Sequence, residues 1–238
     1  MFGTAAAVIA VALVAFAVLV EPVWGWLEYR RLKARRDSDP RALVRMYRIV
    51  IATLWTTTAL VCLAVALSPG LDLEAIGASP PRPDGFVIGL SVSGAIALVV
   101  SSVAMRADAR KGKPIPGLDA YAALLPRTRE ERWYAAAGSI SAGICEELLY
   151  RGFFIAVGIQ LFHLSLVAAA VGSAAIFTLI HVYQGWRGLV GIAVLATILT
   201  VIYLRSASLV LPIALHVLID LRALLVIRPG AASPSSPG

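Results

Sequence analysis

Residues 138–161 read GSISAGICEELLYRGFFIAVGIQL, an apolar stretch that is long enough to cross a membrane but contains three charged residues. A membrane-spanning helix needs ~20 mostly apolar residues to cross the hydrocarbon core of a bilayer. Glu146, Glu147 and Arg151 would each cost roughly 3 kcal/mol at the centre of such a helix if they faced lipid. The stretch therefore predicts a membrane helix whose charged side chains face other helices, where they are candidates for a functional site.

Six further apolar runs extend this interpretation to the whole chain. The composition agrees, because 59% of the 238 residues are hydrophobic and 15% are charged, against ~45–50% and ~25% in soluble domains. Such a composition excludes a disordered chain, a disulfide-rich secreted scaffold and an ordinary cytosolic enzyme. We predict an all-α, polytopic integral membrane bundle of about seven transmembrane helices. The six further runs are residues 2–20, 47–67, 86–105, 164–180, 188–204 and 209–227.

The basic residues predict how the bundle is oriented. Most of them lie in residues 21–48 and 106–132, whereas the loop at 68–85 holds only Arg82 against three acidic residues. Because Lys and Arg mark cytoplasmic loops, we expect the N-terminus outside and the C-terminus, where Arg228 lies, in the cytoplasm. The net charge of +7 then reflects orientation and attraction to anionic inner-leaflet lipids, and no nucleic-acid partner is expected.

These patterns divide the chain into three regions. Residues 1–132 are predicted to be a three-span membrane region with two basic cytoplasmic loops, and residues 133–228 a four-span catalytic core. Residues 229–238, rich in Pro, Ser and Gly, are expected to form a disordered tail. Residues 118–133 are expected to lie along the inner membrane interface, where Pro126 argues against one unbroken helix. The predicted location is a bacterial-type plasma membrane.

Glu146 and Glu147 are predicted to have unlike environments. Residues four apart share one face of a helix, so Glu147 and Arg151 can pair. Glu146 lies ~100° further round the helix, with Tyr150 rather than a base four residues on. One carboxylate is then neutralised and the other is free to titrate or to hold a water, an asymmetry that suits acid–base catalysis. The alternative is that Glu147 and Arg151 only hold helices together.

Two histidines belong to neighbouring predicted spans. His181 ends the fifth span at its inner end, and His216 lies in the seventh span, four residues before Asp220. Asp220 can therefore fix the imidazole tautomer of His216, or both can point into one cavity. Glu146 lies about eight residues, or ~12 Å, into its span from the inner side. These depths predict a common cavity that is open to the cytoplasm.

Three motifs occur in order within these apolar spans: Glu-Glu-x-x-x-Arg at 146–151, Phe-x-x-x-His at 177–181 and His-x-x-x-Asp at 216–220. As an ordered set they resemble the CAAX protease and bacteriocin-processing family, the Abi group, which is related to the Ras-converting CAAX endopeptidases. The resemblance covers residues 140–221. It implies an intramembrane glutamic endopeptidase, a hydrolase that uses no metal or other cofactor and cleaves a peptide or membrane-tethered protein. Prenylated C-termini and bacteriocin or peptide-pheromone substrates are both compatible with it.

The resemblance also implies roles for the motif residues. Glu146 would be the general base that activates water, His181 would orient or polarise that water, and Glu147 with Arg151 would support them. His216 and Asp220 would stabilise the oxyanion or hold the active-site network. Because an ionised Asp cannot donate a hydrogen bond, Asp220 either stays protonated or acts through His216, and we favour the second role. The six candidate catalytic residues are Glu146, Glu147, Arg151, His181, His216 and Asp220.

Two other interpretations of the same residues remain open. Glu146, His181 and His216 are the ligand types of a zinc site with two histidines and one carboxylate, although the HExxH motif of zinc proteases is absent. A non-catalytic scaffold or immunity-type protein, or a proton-coupled transporter, could also use buried Glu, His and Asp residues. The sequence shows no inverted repeat that would favour transport. A scaffold has little need of an unpaired Glu146.

Overall fold

Helices are the only regular secondary structure in the part of the chain that the structure describes. The computed structural model describes residues 2–113, 115 and 117–226, so Arg228 and the predicted tail at 229–238 lie outside the described residues. Within this part we number seven long helices. They are α1 (Thr4–Arg35), α2 (Ala42–Ala66), α3 (Gly85–Arg110), α4 (Arg129–Glu146, continued by Glu147–Phe154 and Ile155–Gln160), α5 (Leu166–Ile180), α6 (Gly185–Ser206) and α7 (Val210–Leu225).

Among the described residues, four helical segments are long and apolar enough to cross a membrane: α1, α2, α3 and Val182–Ser206, which contains α6. Helix α4 is not among these four, because its middle turns carry Glu146, Glu147 and Arg151. The helices α5 and α7 are shorter, with 15 and 16 residues. The predicted all-helical class is confirmed in the described residues, which contain several candidate membrane spans. The count of seven spans and the orientation of the two ends stay predictions.

The first helix extends further than the apolar run at 2–20 predicts. It continues through Glu21 to Arg35, with a π-helical segment at Phe16–Val20. Pro22 has no N–H to donate and its ring crowds the preceding turn, and the wider π turn beside it accommodates this irregularity. Residues 22–27 are themselves apolar, reading PVWGWL. Glu21 consequently lies inside a continuous helix rather than at the start of a loop.

The helix α4 packs more extensively against α2 and α7 than against any other helix. Small residues allow this close approach, as is typical of membrane helix pairs. A Cβ atom at Gly143 would lie 2.4 Å from Cγ2 of Val217 and 3.0 Å from its backbone nitrogen. The crossing of α4 and α7 at this point brings the turn that carries Glu147 beside the turn that carries His216.

A buried two-point ion pair holds the start of α4 against the end of α1. Nη1 and Nη2 of Arg36 lie 2.8 and 2.9 Å from the two carboxylate oxygens of Glu131. Glu131 also accepts a hydrogen bond from the backbone N–H of Arg127 and forms a capping box with Thr128. Burial by itself raises the pKa of Glu131, but these hydrogen bonds outweigh burial and hold that pKa below its ordinary value.

The segment before α4 is not one unbroken helix, as the position of Pro126 predicts. Leu118–Ala120 and Ala122–Leu124 form short 3-10 turns. Their carbonyl groups accept hydrogen bonds from the hydroxyls of Tyr29 and Tyr47, at 2.8 and 3.0 Å. The segment is thereby tied to α1 and α2.

At the opposite end of the bundle, the loop between α2 and α3 folds over the turn between α6 and α7. The hydroxyl of Ser208 donates to the carbonyl oxygen of Ser79 at 2.5 Å, and Ser79 donates to that of Ala207 at 2.9 Å. Ile76 in this loop is fully buried, and its carbonyl oxygen lies 2.7 Å from the place that a Cβ on Gly152 would occupy. This packing ties both the loop and the α6–α7 turn to α4.

Candidate active site

Glu147 lies at the centre of a buried network that joins α4 to α7. Its Oε1 atom is 2.9 Å from Nη1 of Arg151, on the same helix, and 2.7 Å from Nδ1 of His216. The three residues are 0%, 1% and 3% exposed. An ionised carboxylate can only accept a hydrogen bond, so Nδ1 of His216 carries a hydrogen. The pairing of Glu147 with Arg151 that the spacing predicts is present.

Arg151 extends this network to α5 and α6. Its guanidinium lies over the ring of Phe177, 4.2 Å from the ring centroid, and Nη2 is 3.4 Å from the carbonyl oxygen of Ala196. A planar guanidinium can stack on an aromatic face while it donates hydrogen bonds at its edge. The ring of Phe177 also packs edge-on against His216, with 5.9 Å between centroids. The three sequence motifs therefore meet around Phe177 and Glu147.

The other ring nitrogen of His216 faces two more carboxylates. Nε2 is 3.8 Å from Oε2 of Glu146 and 3.8 Å from Oδ2 of Asp220. These distances suit charge–charge attraction but are too long for hydrogen bonds. The tautomer of His216 is thus fixed by Glu147 rather than by Asp220. Asp220 approaches the opposite edge of the ring, where Glu146 also lies.

His181 is positioned by the end of its own helix. It follows the last residue of α5, and its Nδ1 atom lies 2.8 Å from the carbonyl oxygen of Phe177. The last carbonyl groups of a helix have no partner within the helix, and one of them here fixes the imidazole. Because a carbonyl oxygen only accepts, Nδ1 carries a hydrogen and Nε2 is left for another partner.

Glu146 and His181 both line one cavity of about 120 Å³, next to the buried network. Its walls come from α1, α2, α4 and the connection between α5 and α6. The cavity has room for water. The polar and charged lining residues, among those that the structure describes, are Glu21, Thr53, Thr57, Glu146, Tyr150, His181 and Tyr183.

Glu21 and Tyr150 are among the polar residues of this cavity that sequence reasoning missed. The Tyr150 hydroxyl donates to Oε2 of Glu21 at 3.3 Å. Tyr150 follows Glu146 by four residues and shares its helix face, and this spacing could have indicated that both side chains face the same cavity. From the sequence, Glu21 is expected at the start of the first basic loop, directly after the apolar run at 2–20. The apolar residues at 22–27 were the signal that the helix continues.

The sequence also does not reveal that the site is built on an irregular helix. Glu147–Phe154 is π-helical, and π segments widen a helix and are frequent at functional sites. The carbonyl oxygen of Tyr150, inside this segment, accepts a hydrogen bond from the Ser173 hydroxyl of α5 at 2.5 Å. The π segment is thus tied to a neighbouring helix.

In the described part of the chain, no group of three or more His, Cys, Asp and Glu side chains is arranged to hold a metal ion. The zinc alternative for Glu146, His181 and His216 therefore gains no support from their geometry.

Comparison with known proteins supports the resemblance seen in the motifs. The family model described as type II CAAX prenyl endopeptidase Rce1-like matches residues 128–222. This segment contains all six predicted site residues, and the resemblance to the CAAX protease family is confirmed. The match and the apolar helices together indicate a multi-pass integral membrane protein that is similar, over this segment, to a family of proteases. No curated protein and no solved structure gives a significant match.

Proposed function

We propose that this protein is an intramembrane endopeptidase in which Glu146 activates water for attack on a peptide bond. One observation carries the proposal: Glu146 and His181, from two different helices, line the same cavity. The buried network of Glu147, Arg151 and His216 lies directly beside them. The match of residues 128–222 to a protease family supports the same reaction.

The hydrogen-bonding capacities of Glu146 and His181 suit a water molecule held between them. Nδ1 of His181 is committed to the carbonyl of Phe177, so an unprotonated Nε2 can accept one hydrogen of the water. The carboxylate of Glu146 accepts the other hydrogen and removes it as the oxygen attacks the peptide carbonyl. A water held by two acceptors keeps its oxygen lone pairs free for that attack.

His216 is the best-placed donor for the oxyanion that this attack creates. Three carboxylates surround its ring, Glu147 at Nδ1 and both Glu146 and Asp220 near Nε2. When both ring nitrogens carry a hydrogen, these carboxylates balance the charge of the ring, and Nε2–H can donate to the oxyanion. In this scheme Asp220 acts through His216, because an ionised carboxylate cannot itself donate a hydrogen bond to the oxyanion.

We also propose that the cavity opens towards the cytoplasm of a bacterial-type plasma membrane. Met46 and Val50, which line it, belong to the first half of α2, close to the basic residues at 30–48. Those residues mark the inner side and attract anionic lipids. The substrate would be a peptide or a membrane-tethered protein that reaches the cavity from this side.

The test is cleavage of a peptide library by the purified, detergent-folded protein and its variants. Glu146→Gln keeps the shape of the side chain but removes the base, and His181→Ala removes the second acceptor. We expect each to lower kcat by about 10²-fold or more, a size typical of general base catalysis. Exposed Glu130, on the same helix as Glu146, provides the matched control Glu130→Gln, which should cleave at the wild-type rate.

A scaffold would behave differently from a protease in this experiment. Equal cleavage by wild type and Glu146→Gln would contradict the assignment of Glu146 as the base. Absence of cleavage in every preparation, together with full biological function of Glu146→Gln in cells, would favour the non-catalytic alternative.

A further inference from the structure

Glu21 belongs to the wall of the proposed reaction cavity but to none of the three motifs. It lies on α1, far outside the matched segment at 128–222, and follows the π-helical segment Phe16–Val20 directly. Its partner is the hydroxyl of Tyr150, one helical turn from Glu146. The cavity therefore carries two carboxyl groups, one from α4 and one from α1.

The described part of the cavity wall offers these two carboxyl groups no Lys or Arg side chain. Arg151 is near, but it is taken up by Glu147 and by the ring of Phe177. A carboxylate held away from water is costly unless a positive charge or hydrogen bonds compensate it. His216 lies beside Glu146, whereas neither Lys nor Arg is available to Glu21 among the described lining residues. A cation that enters the cavity would compensate the charge of Glu21.

Aromatic rings complete the wall around Glu21. Trp24 lies one turn further along α1, and Tyr183 follows His181 in the connection between α5 and α6; both line the cavity. Ammonium and guanidinium groups are attracted to aromatic faces as well as to carboxylates. Carboxyl groups and aromatic rings, without Lys or Arg among the described lining residues, make a wall that is complementary to a cation.

We propose that Glu21 is a specificity-determining residue that binds a Lys or Arg side chain of the substrate next to the bond under attack. This inference rests on the proposed function and adds a substrate class to it, peptides with a basic residue close to the cleavage site. Tyr150 positions Glu21 by donating a hydrogen bond to it, which leaves the second carboxylate oxygen for the cation.

The experiment compares two peptides that differ at one position, with Lys in one and uncharged norleucine of similar length in the other. The position is scanned across the residues on both sides of the cleaved bond. For full-length wild type we expect kcat/KM to favour the Lys peptide by about tenfold or more at one position, mainly through KM, as a charged hydrogen bond implies. Glu21→Gln, which can still accept from Tyr150, should bring the ratio between the two peptides close to one.

Two further variants make this comparison specific. Thr57→Val alters the same cavity wall without touching a charge and should keep the preference for Lys. Tyr150→Phe keeps Glu21 but removes its hydrogen bond and should reduce the preference in part. A preference for Lys that persists in Glu21→Gln, or that wild type never shows, would overturn the inference.

Binding separates the failure of this inference from the failure of the proposed function. Fluorescence anisotropy of the labelled Lys and norleucine peptides is measured on Glu146→Gln, with and without Glu21→Gln. Tighter binding of the Lys peptide that disappears with Glu21→Gln supports the inference even if no preparation cleaves. Equal affinities for the two peptides contradict it, even if wild type cleaves both.

Discussion

Oε1 of Glu147 lies 2.7 Å from Nδ1 of His216, although 69 positions separate the two residues in the chain. The same oxygen receives a hydrogen bond from Arg151, so one carboxylate connects the first motif to the third. Phe177, from the second motif, packs against both partners of Glu147. The network thereby determines where Glu146 stands relative to the rings of His216 and His181.

Replacement of Glu147 is expected to destabilise the protein strongly. Glu147→Gln leaves the Arg151 guanidinium buried without a countercharge, which typically costs about 3–5 kcal/mol. The free energy of unfolding in mixed detergent micelles, followed by circular dichroism, measures this loss. Glu130→Gln, at an exposed position of the same helix, should change it little.

A double variant tests whether the loss comes from the pair itself. Arg151→Met removes the cation that Glu147→Gln leaves unpaired. The destabilisation of the double variant, Glu147→Gln with Arg151→Met, should therefore be smaller than the sum of the destabilisations of the two single variants. Additive losses would show that Glu147 and Arg151 do not interact in the way that their 2.9 Å separation indicates.

Gly143 is expected to tolerate no side chain. The Cβ atom of Gly143→Ala would meet Val217 at 2.4 Å and push α4 away from α7, lengthening the contact between Glu147 and His216. We expect a destabilisation of about 1–3 kcal/mol, typical of overpacking, together with a loss of peptidase activity.

Gly89 on α3 provides the control for this substitution. A Cβ atom there meets nothing within 4 Å, so Gly89→Ala should leave stability unchanged or raise it by up to ~1 kcal/mol through helix propensity. Unfolding measurements that give equal changes for Gly143→Ala and Gly89→Ala would contradict the close crossing at Gly143.

The ion pair of Glu131 with Arg36 predicts a pH dependence of stability. Since the folded-state pKa of Glu131 is below its ordinary value, its stabilisation is fully present above the unfolded-state pKa of ~4.3 and is lost as the pH falls through the folded-state value. The Tm of wild type should therefore exceed that of Glu131→Gln most clearly near neutral pH, and this gap should narrow below about pH 4. If the difference in Tm between wild type and Glu131→Gln grew as the pH fell, the predicted direction of this pH dependence would be wrong.

The predicted orientation can be tested with single cysteines. In a chain whose two native cysteines are replaced, Cys62→Ser and Cys145→Ala, Glu74→Cys places a thiol in the predicted outer loop and Ser38→Cys places one in the first basic loop. A membrane-impermeant maleimide should label the first in intact cells and the second only after the membrane is opened. The reverse pattern would place the N-terminus inside.

Short-range relations in the chain predicted much of the candidate site. Glu147 pairs with Arg151 because residues four apart share a helix face, and α4 begins after Pro126 because proline interrupts a helix. The order of the three motifs along the chain was enough to indicate the resemblance to CAAX proteases that the match over residues 128–222 confirms. The local pairs depend on neighbours in sequence, whose geometry a helix determines without help from the rest of the fold.

The sequence by itself therefore determined the helical membrane class, the six candidate residues and the local pairs among them. Only the tertiary structure decided that Glu147 rather than Asp220 holds Nδ1 of His216 and that Glu21 of α1 shares a cavity with Glu146. These contacts depend on how closely α4 crosses α7 and on the π segments of α1 and α4. The place where two helices cross is set by the packing of small residues such as Gly143 against residues that are distant in the chain. The periodicity of one helix does not indicate which distant residue will be the partner.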